Sequence, residues 1–440
     1  MDIVAHIDNF FKITERGSNF RTEIRGGIVT FLAMAYVLVV MPNTLEPTGM
    51  GREQIFTATV IATIVGTGIM ALYARFPIAQ APAMGTNAFF TYTIVLGMGY
   101  TWQEALAAVF LSGVLFILIT ISGLREIVVN SIPKDLRLAI AAGLGAFLLF
   151  IGLQGAGIIV GNSSTLVTLG DMSDKAVLVA LFGIILTTAL YVRKFKTAIF
   201  IGIVITTIIA MALGITAIPS DVLSMPEAPY WGAFYDGLKS VNFDIVFIIV
   251  ILSFLMVNLF DTTGTIMAVS KEAGAMDEDG KIRDGSKMFL SDAVGTMTGA
   301  AIGVSTVSSY AESTIGIESG ARTGFSALVV CLLFFIALFF SPIFTVVTST
   351  STVAALFIVA VIMMGSLKYI NWEDPASAVT VVTTIMMMIL TYSITDGLGF
   401  GVIMYSVCKL LGGKWREVSP IMYVLSLIFF AYFVTTAVTF

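Results

Sequence analysis

The chain has 440 residues, of which 58% are hydrophobic and 12% are charged, and its formal net charge is −5. A soluble domain usually contains about 25% charged residues, so this composition excludes a protein with an ordinary water-facing surface. The recurring apolar runs approach the ~20 residues of a membrane-spanning helix, whereas a transmembrane barrel has alternating segments of about 10 residues. We therefore predict a helical membrane protein with many spans.

The predicted spans form two sets of seven, and one further apolar segment follows them. The first set is predicted at 26–41, 56–74, 82–97, 104–122, 135–152, 176–192 and 198–214. The second set is predicted at 244–264, 288–303, 304–317, 323–341, 352–366, 376–392 and 397–411. A polar, aromatic connection at 215–243 separates the sets, and the further segment lies at 419–438.

Lysine and arginine are concentrated in alternate loops. With the N-terminus inside the cell, the cytoplasmic loops collect most of them, including Arg75 and the RKFK stretch at 193–196. The opposite side receives Arg52, Lys175 and Lys239. Because short loops rich in Lys and Arg stay in the cytoplasm, we predict a multi-pass protein of the cell (inner) membrane with a cytoplasmic N-terminus.

The third span of each set has an unusual composition. The stretches QAPAMGTNAFFTYT (80–93) and GVSTVSSYAESTIG (303–316) are rich in Gly, Ser and Thr. Seven spans per set would make the second set enter the membrane in the opposite sense, and interrupted spans at matching positions of such inverted repeats point to a transport site. Small residues also allow close helix packing, and this alternative stays open for either stretch alone. The matched pair favours a cavity.

Acidic residues inside the predicted spans are the main candidates for function. An ionised Asp at the centre of a span costs roughly 2.5–3.5 kcal/mol, so such residues usually face a cavity and act there. Asp261 lies in VNLFDTTGT (257–265), and Glu312 lies in the irregular span of the same half. The repeat geometry would bring both carboxylates to one pocket near the middle of the membrane.

Four other polar residues are weaker candidates. Asn87, in the matching irregular span, could present an amide to the same pocket or simply bond a neighbouring helix. Asp292 is predicted to lie about one turn inside its span and to reach the surface or pair with a loop lysine. Glu318 and Asp396 fall at segment ends, where a solvated role is expected.

Other site classes are not supported by the residues. The single histidine, His6, lies outside the predicted spans, and Cys331 and Cys408 both lie in apolar runs, so we expect no metal, no cofactor and no disulfide. The stretch GAMDEDGK (274–281) has five rather than four residues between its glycines, and Ile282 stands where a phosphate loop has Ser or Thr. Without a nucleotide site, transport would be driven by an ion gradient or be passive.

Five motifs occur in a fixed order: FLAMAY (31–36), PIAQAPAMGTNAFFTYT (77–93), LFDTTGT (259–265), YAESTIGIESGARTG (310–324) and GKWRE (413–417). Together they resemble the AzgA-like purine permeases, a branch of the nucleobase–cation symporter and nucleobase–ascorbate transporter superfamily. The resemblance runs from about residue 11 to the C-terminus, and it is closest to the bacterial guanine/hypoxanthine permeases.

The resemblance implies an all-α polytopic membrane fold of 14 segments in two inverted repeats of seven, with short antiparallel strands in segments three and ten. It also implies a core domain that moves against a gate domain. The expected regions are a cytoplasmic lead-in at 1–25, core segments at 26–122 and 244–341, gate segments at 133–214 and 352–411, an external connection at 215–243 and an additional C-terminal segment at 419–438.

The resemblance also assigns roles by position. Asp261 falls on the acidic residue of segment eight, Glu312 on the substrate-binding glutamate of segment ten, and Asn87 on the amide of segment three. Thr265 stands where uracil-type relatives carry a histidine, and the backbone N–H of Ala311 would donate to a ring carbonyl. These five residues are the predicted substrate site.

From this site we predict a secondary transporter, not an enzyme, that imports purine nucleobases by proton symport with alternating access. Guanine and hypoxanthine offer ring N–H donors that suit a carboxylate. Because burial disfavours the charged form of a carboxylate, Asp261 or Glu312 could take up a proton on one side and release it on the other. The expected partners are a purine, protons, the lipid bilayer and a second copy bound through the gate domain, with no nucleic acid.

Three alternatives stay open. The first is an adenine-preferring permease of the same family. The second is an anion transporter of the same fold, which would need a neutral or basic pocket rather than two acids. The third is an intramembrane carboxylate enzyme, which would normally need two aspartates in matched helices.

Overall fold

The computed structural model describes residues 3–219, 221–276 and 282–439, so residues 277–281 of the GAMDEDGK stretch lie outside the described residues. The helices of the first half are α1 (Ile3–Phe11), α2 (Phe20–Met34), α3 (Val37–Leu45), α4 (Arg52–Ile69), α5 (Met84–Ala88), α6 (Trp102–Ile121), α7 (Leu124–Ser131), α8 (Lys134–Gly155), α9 (Lys175–Val192) and α10 (Ala198–Ala212). The helices of the second half are α11 (Ala233–Ser240), α12 (Ile245–Glu272), α13 (Gly285–Ile302), α14 (Ser313–Glu318), α15 (Gly324–Ala337), α16 (Ser341–Thr345), α17 (Ser349–Met364), α18 (Pro375–Leu390), α19 (Ile394–Leu411) and α20 (Pro420–Thr439). The strands are β1 (Gln80–Pro82), β2 (Ile159–Asn162), β3 (Leu166–Leu169) and β4 (Val307–Ser309).

The protein is a multi-pass helical membrane protein, as its composition predicted. In the described part of the chain, nine helical stretches are long and apolar enough to cross a membrane. Three shorter apolar helices, at Ala198–Ala212, Pro375–Leu390 and Pro420–Val434, accompany them. Backbone groups have no water partners in hydrocarbon, so helices that satisfy their own hydrogen bonds are the expected solution.

Several observed boundaries differ from the predicted ones. The first predicted span is divided at Ala35 and Tyr36 into α2 and α3, and α2 already begins at Phe20, where the side chain of Asn19 accepts a hydrogen bond from the backbone of Thr22. Helix α12 extends to Glu272, eight residues beyond the prediction, because hydropathy alone does not reveal where a helix continues into water.

The two irregular stretches meet as a pair of short strands. Strand β1 pairs antiparallel with β4, with Gln80 opposite Ser309 and Pro82 opposite Val307. The predicted short antiparallel strands are therefore confirmed. Each strand continues into a short helix, α5 or α14, so both stretches cross the structure as a strand followed by a helix.

Glycines allow the neighbouring helices to approach this strand pair closely. A Cβ atom added at Gly66 of α4 would lie 3.0 Å from both Gln80 Oε1 and Val307 Cγ1. A Cβ atom added at Gly295 of α13 would lie 3.0 Å from the same Gln80 oxygen. Small residues at such positions let backbones pack tightly inside a membrane protein, so α4 and α13 hold the strands between them.

The additional C-terminal helix α20 packs against α19. The hydroxyls of Ser406 and Ser426 are 2.7 Å apart, and the Tyr432 hydroxyl donates to Asp396 Oδ1 at 3.3 Å. A Cβ atom at Gly399 would lie 2.7 Å from the ring of Phe429, so this contact is close. Helix α20 thus covers one side of α19.

Candidate functional site

A cavity of about 310 Å³ lies beside the strand pair. Four of the five predicted site residues line it, namely Asp261, Thr265, Ala311 and Glu312. The rest of its wall comes from Tyr36, from residues 83–85 and 308–310, from Thr314 and Ile315, and from Val359, Ile362 and Met363 of α17. The structure therefore brings together residues that are more than 270 positions apart in the chain. We call this space the central cavity.

Glu312 is held by a tyrosine that sequence reasoning missed. The Tyr36 hydroxyl donates to Glu312 Oε1 at 2.5 Å, and Tyr36 is 2% exposed. Tyr36 lies at the break between α2 and α3, directly before the first residue of α3. The FLAMAY motif contains this residue, but nothing local identifies a partner 276 positions away.

Asp261 faces the same cavity from α12. Its Oδ2 accepts a hydrogen bond from the Ser308 hydroxyl at 3.3 Å, and Ser308 lies in β4. Thr265 lies about one helical turn after Asp261 and lines the same space. Two carboxylates, several hydroxyl groups and the backbone after β4 therefore surround a cavity of the size found for small-molecule sites, roughly 300–1,000 Å³.

Asp292 lies behind the strands, and the prediction that it reaches the surface or a loop lysine is wrong. It is fully buried, and its Oδ1 accepts from Gln80 Nε2 at 3.0 Å and from Ser309 Oγ at 2.6 Å. Its Oδ2 accepts from the Thr262 hydroxyl. Asp292 thus joins β1, β4, α12 and α13, because buried polar groups in a bilayer must find partners inside the protein.

Asn87 does not line the central cavity. It is fully buried, and its amide nitrogen donates to the backbone oxygen of Ala83 one turn earlier, at 2.5 Å. Its amide oxygen has no hydrogen-bond partner among the described residues. Its role in substrate binding stays a prediction.

The two acids at segment ends have different surroundings. Glu318 is half exposed and lies 3.5 Å from Lys196 Nζ, a surface ion pair. Asp396 lines a second, larger cavity, away from Asp261 and Glu312. The expectation of a solvated role thus fits Glu318, whereas Asp396 is partly buried in the wall of an open cavity.

Comparisons with known proteins agree with the motif resemblance. A model of the Permease family matches residues 21–400. The guanine/hypoxanthine permease PbuG of Bacillus subtilis (strain 168) is 44% identical over 436 residues, covering 97% of this chain and 99% of PbuG. The adenine permease AdeP of Escherichia coli (strain K12) is 36% identical, covering 96% and 95%.

A solved structure shows the same fold. The transmembrane domain of the cyanobacterial bicarbonate transporter BicA superposes with a TM-score of 0.63, covering 87% of this chain and 97% of that domain. The two sequences are 16% identical. At this identity the likeness concerns the fold alone.

Proposed function

Because this chain belongs to the Permease family, we propose that it is a secondary transporter that imports purine nucleobases, guanine and hypoxanthine most readily, by symport with protons. The observation that carries the proposal is the convergence of Glu312 and Asp261 on one cavity beside the strand pair. Acidic residues inside a membrane are costly and usually mark a transport pathway. The relative PbuG, named a guanine/hypoxanthine permease, supports the choice of substrate.

The proposed architecture has 14 segments in two inverted repeats of seven. Core segments at 26–122 and 244–341 would carry the central cavity, and gate segments at 133–214 and 352–411 would move against them. The pairing of β1 with β4 supports this arrangement, since it joins equivalent segments of the two halves. The excess of Lys and Arg in alternate loops supports an inner-membrane protein with a cytoplasmic N-terminus.

Guanine fits the acceptor character of Glu312. Its ring N1–H and its exocyclic amine are adjacent donors that point the same way, and a carboxylate offers two acceptor oxygens. Hypoxanthine retains the N1–H. The backbone N–H of Ala311 would donate to the ring carbonyl, and the Thr265 hydroxyl can donate or accept at the cavity edge.

Proton coupling would use the same two acids. Glu312 would hold the base while Tyr36 orients its carboxylate, and Asp261 would bind substrate or proton in turn. Protonation of two acids in one small cavity is linked, so the proton belongs to the pair rather than to one residue. Movement of the core against the gate would then expose the loaded cavity to the other side.

The test is uptake of labelled hypoxanthine into proteoliposomes with and without an inward proton gradient, with unlabelled guanine, adenine and uracil as competitors. We expect gradient-driven uptake that guanine blocks and uracil does not. Glu312→Gln should lower uptake at least about tenfold, because it removes a hydrogen bond to a charged group. Glu318→Gln is the matched control, since this acid ends the short helix α14, which Glu312 directly precedes, but it faces the surface. Folded protein without uptake under any gradient would contradict the proposal.

An adenine-preferring permease is the second candidate, favoured by the 36% identity to AdeP. Adenine presents an amine beside a ring acceptor, so it would suit a protonated carboxyl group, which offers one donor and one acceptor. The competition assay separates the two: adenine would block uptake better than guanine. An anion substrate, in contrast, is disfavoured by two carboxylates in the cavity.

We also propose that two copies associate through the gate segments. Light scattering of the purified protein in detergent would measure the mass of the protein component, and a value near one chain would contradict this association.

A further inference from the structure

A second cavity, of about 900 Å³, lies at the other end of the helices that form the central cavity. Val246, at the start of α12, lines it, whereas Asp261 of the same helix lines the central cavity. In the proposed orientation this end of α12 faces the outside of the cell. We call this space the outer cavity.

The polar groups of the outer cavity come mainly from α8, α19 and α20 and from the turn between α18 and α19. Asp396 lies in the first turn of α19, and its Oδ1 accepts from the Tyr432 hydroxyl of α20 at 3.3 Å. The hydroxyl groups of Ser393 and Thr391 also approach this carboxylate. A carboxylate has about four acceptor positions, so acceptor capacity for a ligand remains. Gln154 of α8 accepts from the Tyr392 hydroxyl at 2.9 Å, and its amide nitrogen supplies two further donors.

Aromatic rings supply the flat apolar part of the wall. The rings of Tyr92 and Tyr392 both line the cavity and meet edge to face, with centroids 5.6 Å apart. Tyr392 has φ +57°, a left-handed conformation that is uncommon for a non-glycine residue and is maintained by its surroundings. The ring of the fully buried Phe147 packs against the ring of Tyr392, with centroids 5.4 Å apart.

Both cavities lie between proposed core segments and proposed gate segments. Gly85 of α5 lines the central cavity, and α5 continues directly into a π-helix (Phe89–Gly97) on which Tyr92 lines the outer cavity. This separation of seven positions corresponds to about 10 Å along the helix axis. A ligand that enters from outside would therefore meet the outer cavity first.

We propose that the outer cavity is a separate loading site for a planar nitrogen heterocycle with adjacent N–H donors, in which Asp396 accepts those donors and Tyr92 and Tyr392 contact the ring. A flat base with polar edges needs this combination of aromatic surface and a few placed polar groups. The inference rests on the proposed function, which supplies the purine as the ligand. It adds a binding site that the two central acids do not form.

The test measures labelled guanine flux in right-side-out and in inside-out membrane vesicles of an expressing bacterium. Asp396→Asn removes the charge but keeps an oxygen that can accept from Tyr432. We expect the KM for entry from the outside to rise about tenfold, the effect of losing one hydrogen bond to a charged group. The KM from the cytoplasmic side should stay within about twofold, because the central site is intact.

Thermodynamics explains why the two directions of transport should differ in KM and not in kcat/KM. The substitution does not alter the equilibrium constant of transport, so kcat/KM must fall by the same factor in both directions. On the outside the fall appears in KM, whereas on the cytoplasmic side it appears in kcat. A general loss of folded protein would lower the maximal rate on both sides and leave both KM values unchanged.

Glu318→Gln is the matched control, since it also replaces an acid with its amide, at a half-exposed residue that pairs with Lys196 and lines neither cavity. We expect both KM values to stay at the wild-type level. The outer site is overturned if Glu318→Gln reproduces the effect, or if Asp396→Asn changes neither KM or both equally. If Asp396→Asn does not accumulate, Gln154→Met is measured instead: it removes the amide donors of this cavity, so the KM from the outside should rise and the KM from the cytoplasmic side should not, and an unchanged outside KM would overturn the site.

Failure of this inference differs from failure of the proposed function. Wild-type vesicles without guanine flux would overturn the proposed function and the loading site with it. Active wild-type vesicles with unchanged kinetics in the variants would overturn the loading site alone.

Discussion

Replacing Asp292 with leucine tests whether this buried acid anchors the strand pair. The carboxylate accepts hydrogen bonds from Gln80 at 3.0 Å, from Ser309 at 2.6 Å and from Thr262. Leucine keeps the branched shape of aspartate, with two methyl groups in place of the two oxygens, so the main effect is the loss of an acceptor for three buried donors. At about 1 kcal/mol for each bond, the expected loss of folding free energy is about 3 kcal/mol.

The assay is thermal unfolding of the purified protein in detergent, compared with the wild type. A loss of this size should lower the apparent Tm on the order of 5 °C or more for a chain of this length. Thr298→Val is the matched control, since this hydroxyl on the same helix bonds the backbone oxygens of Val294 and Gly295. We expect the control to change stability by no more than about 0.5 kcal/mol.

Asp292→Asn separates the hydrogen bonds from the charge. The Gln80 side-chain oxygen has no hydrogen-bond partner among the described residues, so rotation of that amide would let it accept from the new asparagine. We expect Asp292→Asn to lower the folding free energy by only about 1 kcal/mol, the contribution of one hydrogen bond. If Asp292→Leu were as stable as the wild type, the desolvation cost of the acid would outweigh its bonds, and the anchoring role would be refuted.

Three further substitutions test other parts of the structure. Tyr36→Phe removes the hydroxyl that donates to Glu312, so the KM for hypoxanthine uptake should rise about tenfold while the Tm stays unchanged. An unchanged KM would contradict the role of Tyr36 in orienting the Glu312 carboxylate. Gly66→Val should lower the Tm by overpacking the strand pair, at a cost of about 1–3 kcal/mol. Gly68→Val is the control and should be tolerated, because no atom lies within 4 Å of the added Cβ. Equal shifts in Tm for the two variants would contradict the close approach of α4 to the strands. A hydrogen bond from Lys409 lowers the pKa of Asp374 below 3.8, so the wild type should be more stable than Asp374→Asn above about pH 4. This advantage should disappear as the pH falls through the depressed pKa, and an advantage independent of pH between 7 and 3 would contradict the ion pair as its source.

The sequence by itself determined the class of the protein, the irregular segments and the two cavity acids. A bilayer requires long apolar stretches whose backbones satisfy their own hydrogen bonds, so spans can be recognised from local composition. The same requirement makes Asp261 and Glu312 conspicuous, because an acid in such a stretch is costly unless it serves a cavity. The repeat geometry predicted that these two acids of the second half would share a pocket, and they do line one cavity.

The tertiary structure alone decided which side chains contact these acids. The bond between Tyr36 and Glu312 joins residues 276 positions apart, and Asp292 looked like a surface residue until its partners in the strands were known. The Asn87 amide donates to the backbone of Ala83 and does not face the central cavity, although neighbouring residues of its segment line that cavity. Such contacts depend on the rotation and register of each helix against its neighbours, which the periodicity of a single segment does not encode. The apolar pattern selects the helices that enter the membrane, and their packing against one another determines which polar groups share a cavity.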